Sequence, residues 1–120
     1  MTVHSALTGM PFEINPEAIT IAWPAMGLED TEVSRDGDKI TVDETLDEMQ
    51  ELLKAAGLKF ARLQYLEYDW AFCLINTDKI RYLEAKGEQT KIQIGFDYDG
   101  EVIVDMPLEQ VLDLLAAARR

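Results

Sequence analysis

One string of residues occurs twice in degenerate form. Phe12-Glu13-Ile14-Asn15-Pro16-Glu17-Ala18-Ile19 is answered sixty-one positions on by Cys73-Leu74-Ile75-Asn76-Thr77-Asp78-Lys79-Ile80, with Ile14, Asn15 and Ile19 falling on Ile75, Asn76 and Ile80. Asp36-Gly37 is answered by Asp99-Gly100, and Leu46, Met49, Leu53 and Ala56 by Leu108, Val111, Leu115 and Ala118. A duplicated chain must build a similar compact unit twice and pack the two together. The units would be residues 1–57 and 58–120. Each is near the lower size limit for a self-sufficient core, so the halves are expected to share one core or a large apolar interface as one compact domain.

Local signals fill in each unit. In the first, Val3 to Leu7 reads as a strand and Thr8-Gly9-Met10 as a turn. Phe12 and Ile14 belong to a second strand, which Pro16 ends by pushing Asn15 out of the helical region. Ile19, Ile21 and Trp23 alternate as a third strand sharing one face, stopped by Pro24. Thr31 to Ser34 and the segment holding Ile40 and Val42 flank a turn at Asp36-Gly37. Thr45-Leu46-Asp47-Glu48 fits a capping box, and Leu46, Met49, Leu52, Leu53 and Ala56 make the apolar stripe of the helix that follows. Gly57 is placed to end that helix in the left-handed conformation.

The second unit repeats the plan. Leu58 to Leu63 is a strand. Leu66, Tyr68, Trp70, Phe72 and Leu74 occupy alternate positions, the period of a half-buried strand. Ile80 and Tyr82 continue, and Ala85-Lys86-Gly87-Glu88 turns the chain. Ile92, Ile94, Phe96 and Tyr98 alternate, and a hairpin at Asp99-Gly100 leads to Glu101 to Val104. Gly95, inside that run, signals a bulge or a close backbone approach. Pro107 suits a first helical position, ahead of a stripe of Leu108, Val111, Leu112, Leu115 and Ala118. The expected class is α+β: two similar antiparallel β-sheet units, each ending in a helix, packed with an approximate two-fold axis.

The first unit resembles the FlbD-type family of small bacterial proteins, known from flagellar and swarming-motility gene neighbourhoods. Leu7-Thr8-Gly9, Phe12-x-Ile14-Asn15-Pro16-Glu17-x-x-Ile19, Asp36-Gly37, Ile40-x-Val42 and Glu44-Thr45-Leu46-Asp47-Glu48-Met49 carry the resemblance, over most of residues 3–56. The second unit departs from it: Thr77 stands for Pro16 and Pro107 for Thr45. The resemblance implies a fold unit and an assembly or regulatory role, and supplies no catalytic motif.

Charge narrows the function. The net charge is −12, with 23 acids against 11 bases. Residues 1–57 hold 12 acids and 3 bases (−9), and residues 58–120 hold 11 acids and 8 bases (−3). Such a surface repels nucleic acid and anionic membranes and attracts a basic partner. Cys73 is the lone cysteine, which excludes an internal disulfide and suits a cytoplasmic protein. The N-terminal residues lack the basic and apolar runs of a signal peptide.

The expected function is therefore non-enzymatic protein binding by an acidic module, of the inhibitor or immunity type. The candidate contacts are Trp23, Met26, Glu29, Asp30, Glu32, Asp36, Asp38, Asp47 and Glu51. No cofactor, metal or catalytic residue is expected. Asp97-Tyr98-Asp99-Gly100-Glu101 lacks the distal ligands of a calcium loop and is explained by a hairpin. His4 and Cys73 form no known nucleophile signature. The alternative readings are a small-molecule site between the units, lined by Tyr68, Trp70, Tyr82 and Tyr98 with Arg62 or Arg81, and a homo-oligomeric assembly protein.

Overall fold

Two asparagines begin the same local structure in each half. Asn15 and Asn76 each accept, through the side-chain oxygen, the backbone N–H two residues on, at 3.1 Å from Glu17 and 3.0 Å from Asp78. Each thereby caps a single 3₁₀ turn, Pro16–Ala18 and Thr77–Lys79, that redirects one strand into the next. The computed structural model describes residues 1–25, 29–35, 38–64, 72–95 and 100–120. The expected turn at Asp36-Gly37, the alternating positions 66–70 and the end of the run at Phe96 and Tyr98 lie outside the described residues.

The elements before and after Gly57 come in the same order. The first half runs β1 (Thr2–His4), β2 (Pro11–Glu13), the first 3₁₀ turn, β3 (Ile19–Pro24), β4 (Thr31–Arg35), β5 (Asp38–Val42) and α1 (Leu46–Ala55). The second runs β6 (Phe60–Gln64), β7 (Phe72–Asn76), the second 3₁₀ turn, β8 (Ile80–Lys86), β9 (Gln89–Ile94), β10 (Glu101–Val104) and α2 (Leu108–Ala118). The fold is α+β, with ten described strands in three antiparallel sheets. β1 and β2 form a hairpin, β10-β9-β8 a three-stranded sheet, and β5-β4-β3-β7-β6 a five-stranded sheet.

The five-stranded sheet is continuous across the halves because β3 and β7 pair, Ile21 opposite Ile75 and Ala22 opposite Leu74. Side chains alternate across these strands, so each serves two cores. Ala22 and Leu74 join Val3, Ile14, Ile19, Val33, Val42, Leu46, Met49 and Leu53 beneath α1. Ile21, Cys73 and Ile75 join Ala61, Leu63, Ile92, Ile94, Val102, Val104, Met106, Val111 and Leu115 beneath α2. There are thus two cores, separated by the shared sheet, where one common core was the other possibility.

Several sequence expectations are corrected by this arrangement. Ile19 and Ile21 do not share a face: the register of β3 against β4 shifts between them, sending them into different cores. The same shift occurs between Ile80 and Tyr82 in β8, and Tyr82 is 50% exposed. Pro107 is the N-cap of α2, with extended ψ of 155°, and no side chain caps the helix. Leu112 is 48% exposed and Ala56 is exposed, so both stripes are narrower than the sequence suggests. Other expectations hold. Thr45 and Glu48 make the reciprocal capping box. Gly57 ends α1 with φ of +80°. Gly95 departs from its expectation: it lies just past β9, takes φ of +69°, donates its N–H to the Lys79 carbonyl at 3.0 Å, and has the Thr20 side chain, not a backbone, as its near neighbour.

Candidate functional site

The candidate contact residues fall on two faces of the five-stranded sheet. In β4, Thr31 and Val33 point into the structure, and Val33 joins the core beneath α1. Glu32 must therefore point to the opposite face. There it lies opposite Thr41 of β5 and Trp23 of β3, and Ser34 lies opposite Lys39. No residue of β4 or β5 enters the core beneath α2; on this face Glu32 and Ser34 are half-buried and Lys39 and Thr41 exposed. Trp23 is half-buried beside them, and the Lys39 ammonium lies 5.7 Å from its ring centroid, within cation–π range.

The acids of α1 lie on the other side. Leu46, Met49 and Leu53 are buried against the sheet, leaving Asp47, Glu48 and Glu51 exposed. Asp43 is exposed just ahead of the helix and Glu44 is partly covered. Their placement suits the helix, since carboxylates favour its N-terminus. Arg62 of β6 reaches this surface: its guanidinium donates to Asp47 Oδ1 at 2.6 Å and Gln50 Oε1 at 2.7 Å, and stacks 5.3 Å from the Phe72 ring.

Trp23 and Glu32 are thus separated by the sheet from Asp47 and Glu51. Glu29 and Asp30 lie just before β4, where the Asp30 carbonyl accepts the Ala25 N–H at 2.9 Å. Asp38 is exposed at the start of β5, opposite Arg35. Met26 and Asp36 lie outside the described residues, as do Tyr68, Trp70 and Tyr98 of the small-molecule reading. Of that set, Tyr82 is on β8, whereas Arg62 faces α1 across the central sheet.

His4 and Cys73 are also apart. His4 Nδ1 is 2.7 Å from Glu44 Oε2, and its backbone N–H donates to Glu44 Oε1 at 2.9 Å. Burial, the largest single influence, opposes ionisation of Glu44, but the His4 ring and backbone hydrogen bonds, a further backbone hydrogen bond and the nearby His4 charge together hold the carboxyl below its ordinary value. Cys73 is fully buried, and burial pushes its thiol up to about 12, which keeps it protonated and unreactive at neutral pH. Among the described residues, no group of three or more His, Cys, Asp or Glu side chains is placed to hold a metal ion. No described helix is long and apolar enough to cross a membrane.

A feature that the sequence reading missed is the inequality of the two strand edges. Among the described residues, β7 is hydrogen-bonded on both sides, to β6 and β3, while β2 is bonded to β1 alone. Among the same residues, β3 is bonded on both sides, while β8 is bonded to β9 alone. The only sequence signal is compositional: Leu74 and Ala22 at the paired edges stand where Glu13 and Leu83 stand at the open ones. Compared with known proteins, the chain matches no family model, no curated protein and no solved structure.

Proposed function

We propose that this chain is a non-enzymatic, acidic protein-binding module, built from two copies of one β-rich unit and docking on a basic surface of its target. The observation that carries the reading is the placement of charge. Every buried polar side chain among the described residues is an uncharged Thr31, Asn76, Thr77 or Thr90, so each described acid is at least partly accessible. The field of a net charge of −12 therefore acts outward, where it steers a cationic partner.

The docking surface in this reading centres on α1, with Asp43, Asp47, Glu48 and Glu51, and extends to the acidic segment that includes Glu29 and Asp30. Trp23 and Glu32 lie on a separate face, where Lys39 offsets the charge. An inhibitor or immunity-type factor covering a basic groove fits this chemistry. The duplicated origin draws support from the repeated element order, the two capped 3₁₀ turns and the matched register shifts at Ile19/Ile21 and Ile80/Tyr82.

The test compares wild type with a triple variant, Asp43→Lys, Asp47→Lys and Glu51→Lys, as baits in host lysate. A partner identified by mass spectrometry should be retained by wild type and lost by the variant, and its association rate should fall as salt rises to physiological strength. A partner held equally by both baits, or a rate indifferent to salt, would sink the reading.

A further inference from the structure

The seam between the halves is a strand pair of one kind, β3 with β7. By element order, β3 corresponds to β8 and β7 to β2. A second pair of this kind, β8 with β2, is therefore defined by the fold and is not formed within the chain: β8 is bonded only to β9, and β2 only to β1, among the described residues. We propose that β2 of one molecule pairs with β8 of a second copy of this chain, extending the sheet from molecule to molecule.

The seam specifies the register. Ile21 opposite Ile75 and Ala22 opposite Leu74 become, sixty-one positions along, Tyr82 opposite Ile14 and Leu83 opposite Glu13 in an antiparallel pair. The backbone polarity of both edges agrees. The Ile14 N–H donates inward to the Met1 carbonyl at 2.9 Å, so alternation points the Glu13 N–H and C=O outward. On β8, Lys86 and Gln89 flank a two-residue hairpin loop, so Ala85 and Leu83 present their N–H and C=O outward. An edge with such groups is a template for another strand.

Past Ile14 the paired stretch ends at the 3₁₀ turn that Asn15 caps, as the seam ends at the turn that Asn76 caps. Asn76, the counterpart of Asn15, shows what an occupied edge does: it is 2% exposed and its Nδ2 donates to the Ile19 carbonyl at 2.9 Å. Asn15 is exposed, and the matching acceptor in a second copy is the Ile80 carbonyl. Tyr82, half-exposed on the free chain, would be covered. Since β2 and β8 are different surfaces, the contact is head-to-tail, and it yields rings or open chains of molecules rather than a closed two-fold dimer.

The inference uses the correspondence of elements proposed above and is independent of the acidic docking surface. Its test is complementation between two edge-blocked variants followed by sedimentation velocity. Glu13→Pro removes the outward N–H of β2, and Ala85→Pro removes one from β8, each at an edge position that tolerates proline. Wild type should grow beyond a monomer as its concentration rises from about 1 µM towards 1 mM, the range expected of a small interface. Each folded variant alone should stay monomeric. Their equimolar mixture should form a one-to-one dimer and stop there, because each supplies the edge the other lacks. Circular dichroism confirms folding; a β8 variant that fails it is replaced by Leu83→Glu, which sets two carboxylates opposite each other, and a β2 variant by Glu13→Gly, which weakens the strand at the contact. A wild type monomeric throughout, variants that associate as wild type does, or folded variants that do not combine would each overturn the proposal. Monomeric wild type with superimposable halves would leave the duplication intact.

Discussion

Asn15 and Asn76 do one job in two settings. Both cap a 3₁₀ turn with the side-chain oxygen, but Asn76 lies in the seam and also donates to Ile19, whereas Asn15 is exposed. The same contrast runs along the strands that precede them. Leu74 is completely buried and Glu13, its counterpart, carries a solvent-facing carboxylate. Two units with the same order of elements thus differ in what their edges meet, and that decides which polar groups are buried and which side chains are apolar.

Substitutions at paired positions sharpen this contrast. The largest difference is expected between Leu74→Ala and Glu13→Ala. The first empties a fully buried site in the core beneath α1 and should cost about 2–5 kcal/mol in urea unfolding. The second should leave the midpoint nearly unmoved, although it removes the bonds from Thr2 and the N-terminal ammonium. Equal effects would mean that the first hairpin is held as firmly as the seam.

Next come the asparagines. Asn76→Ala should cost about 1–3 kcal/mol, since it orphans the Ile19 carbonyl in a buried strand as well as the cap. Asn15→Ala removes only a solvated cap and should cost about 1 kcal/mol or less. A reversed order would break the comparison.

A third pair is Thr90 and Thr31, both fully buried and paired with Val104 and Val42 respectively. Thr90 Oγ1 donates to the Met106 carbonyl at 2.8 Å, while Thr31 Oγ1 meets no hydrogen-bond partner among the described residues. Thr90→Val should destabilise by about 1 kcal/mol, and Thr31→Val should be neutral or stabilising. Thermal midpoints of the two variants distinguish these outcomes.

The smallest effect concerns acid. The folded-state Glu44 carboxyl lies below its unfolded value near 4.5, so its stabilising contribution is complete above that value and is lost as pH falls through the folded one. His4→Ala removes the ring contact and should shrink this acid-dependent loss, read from urea midpoints at about pH 7 and pH 3. The second half has no counterpart, since Gln64 stands in the place of His4. An unchanged pH profile would show that the backbone N–H of residue 4 is sufficient.

Much of the fold was legible because its signals are local. The capping box at Thr45, Gly57 at the helix end and proline or asparagine at strand ends act within a few residues, and all are found where the sequence placed them. The failures are tertiary. Alternation across Ile19, Ile21 and Trp23 was read as one buried face, but a bulge divides it, and β3 is covered on both sides. Leu112 fits the helical period yet is exposed, because α2 presents only a narrow stripe to β6, β8 and β9. Most of the candidate contacts are near neighbours in sequence. A β-strand sends neighbours to opposite faces, so Glu32 parted from the acids of α1 on geometric grounds that composition does not carry.

The burial of Cys73 turns one core into its own reporter. The thiol sits on β7 inside the core beneath α2, and an alkylating reagent reaches it only when that core opens. Its labelling rate measures how often the second helix and its sheet part, a quantity that whole-molecule melting averages away.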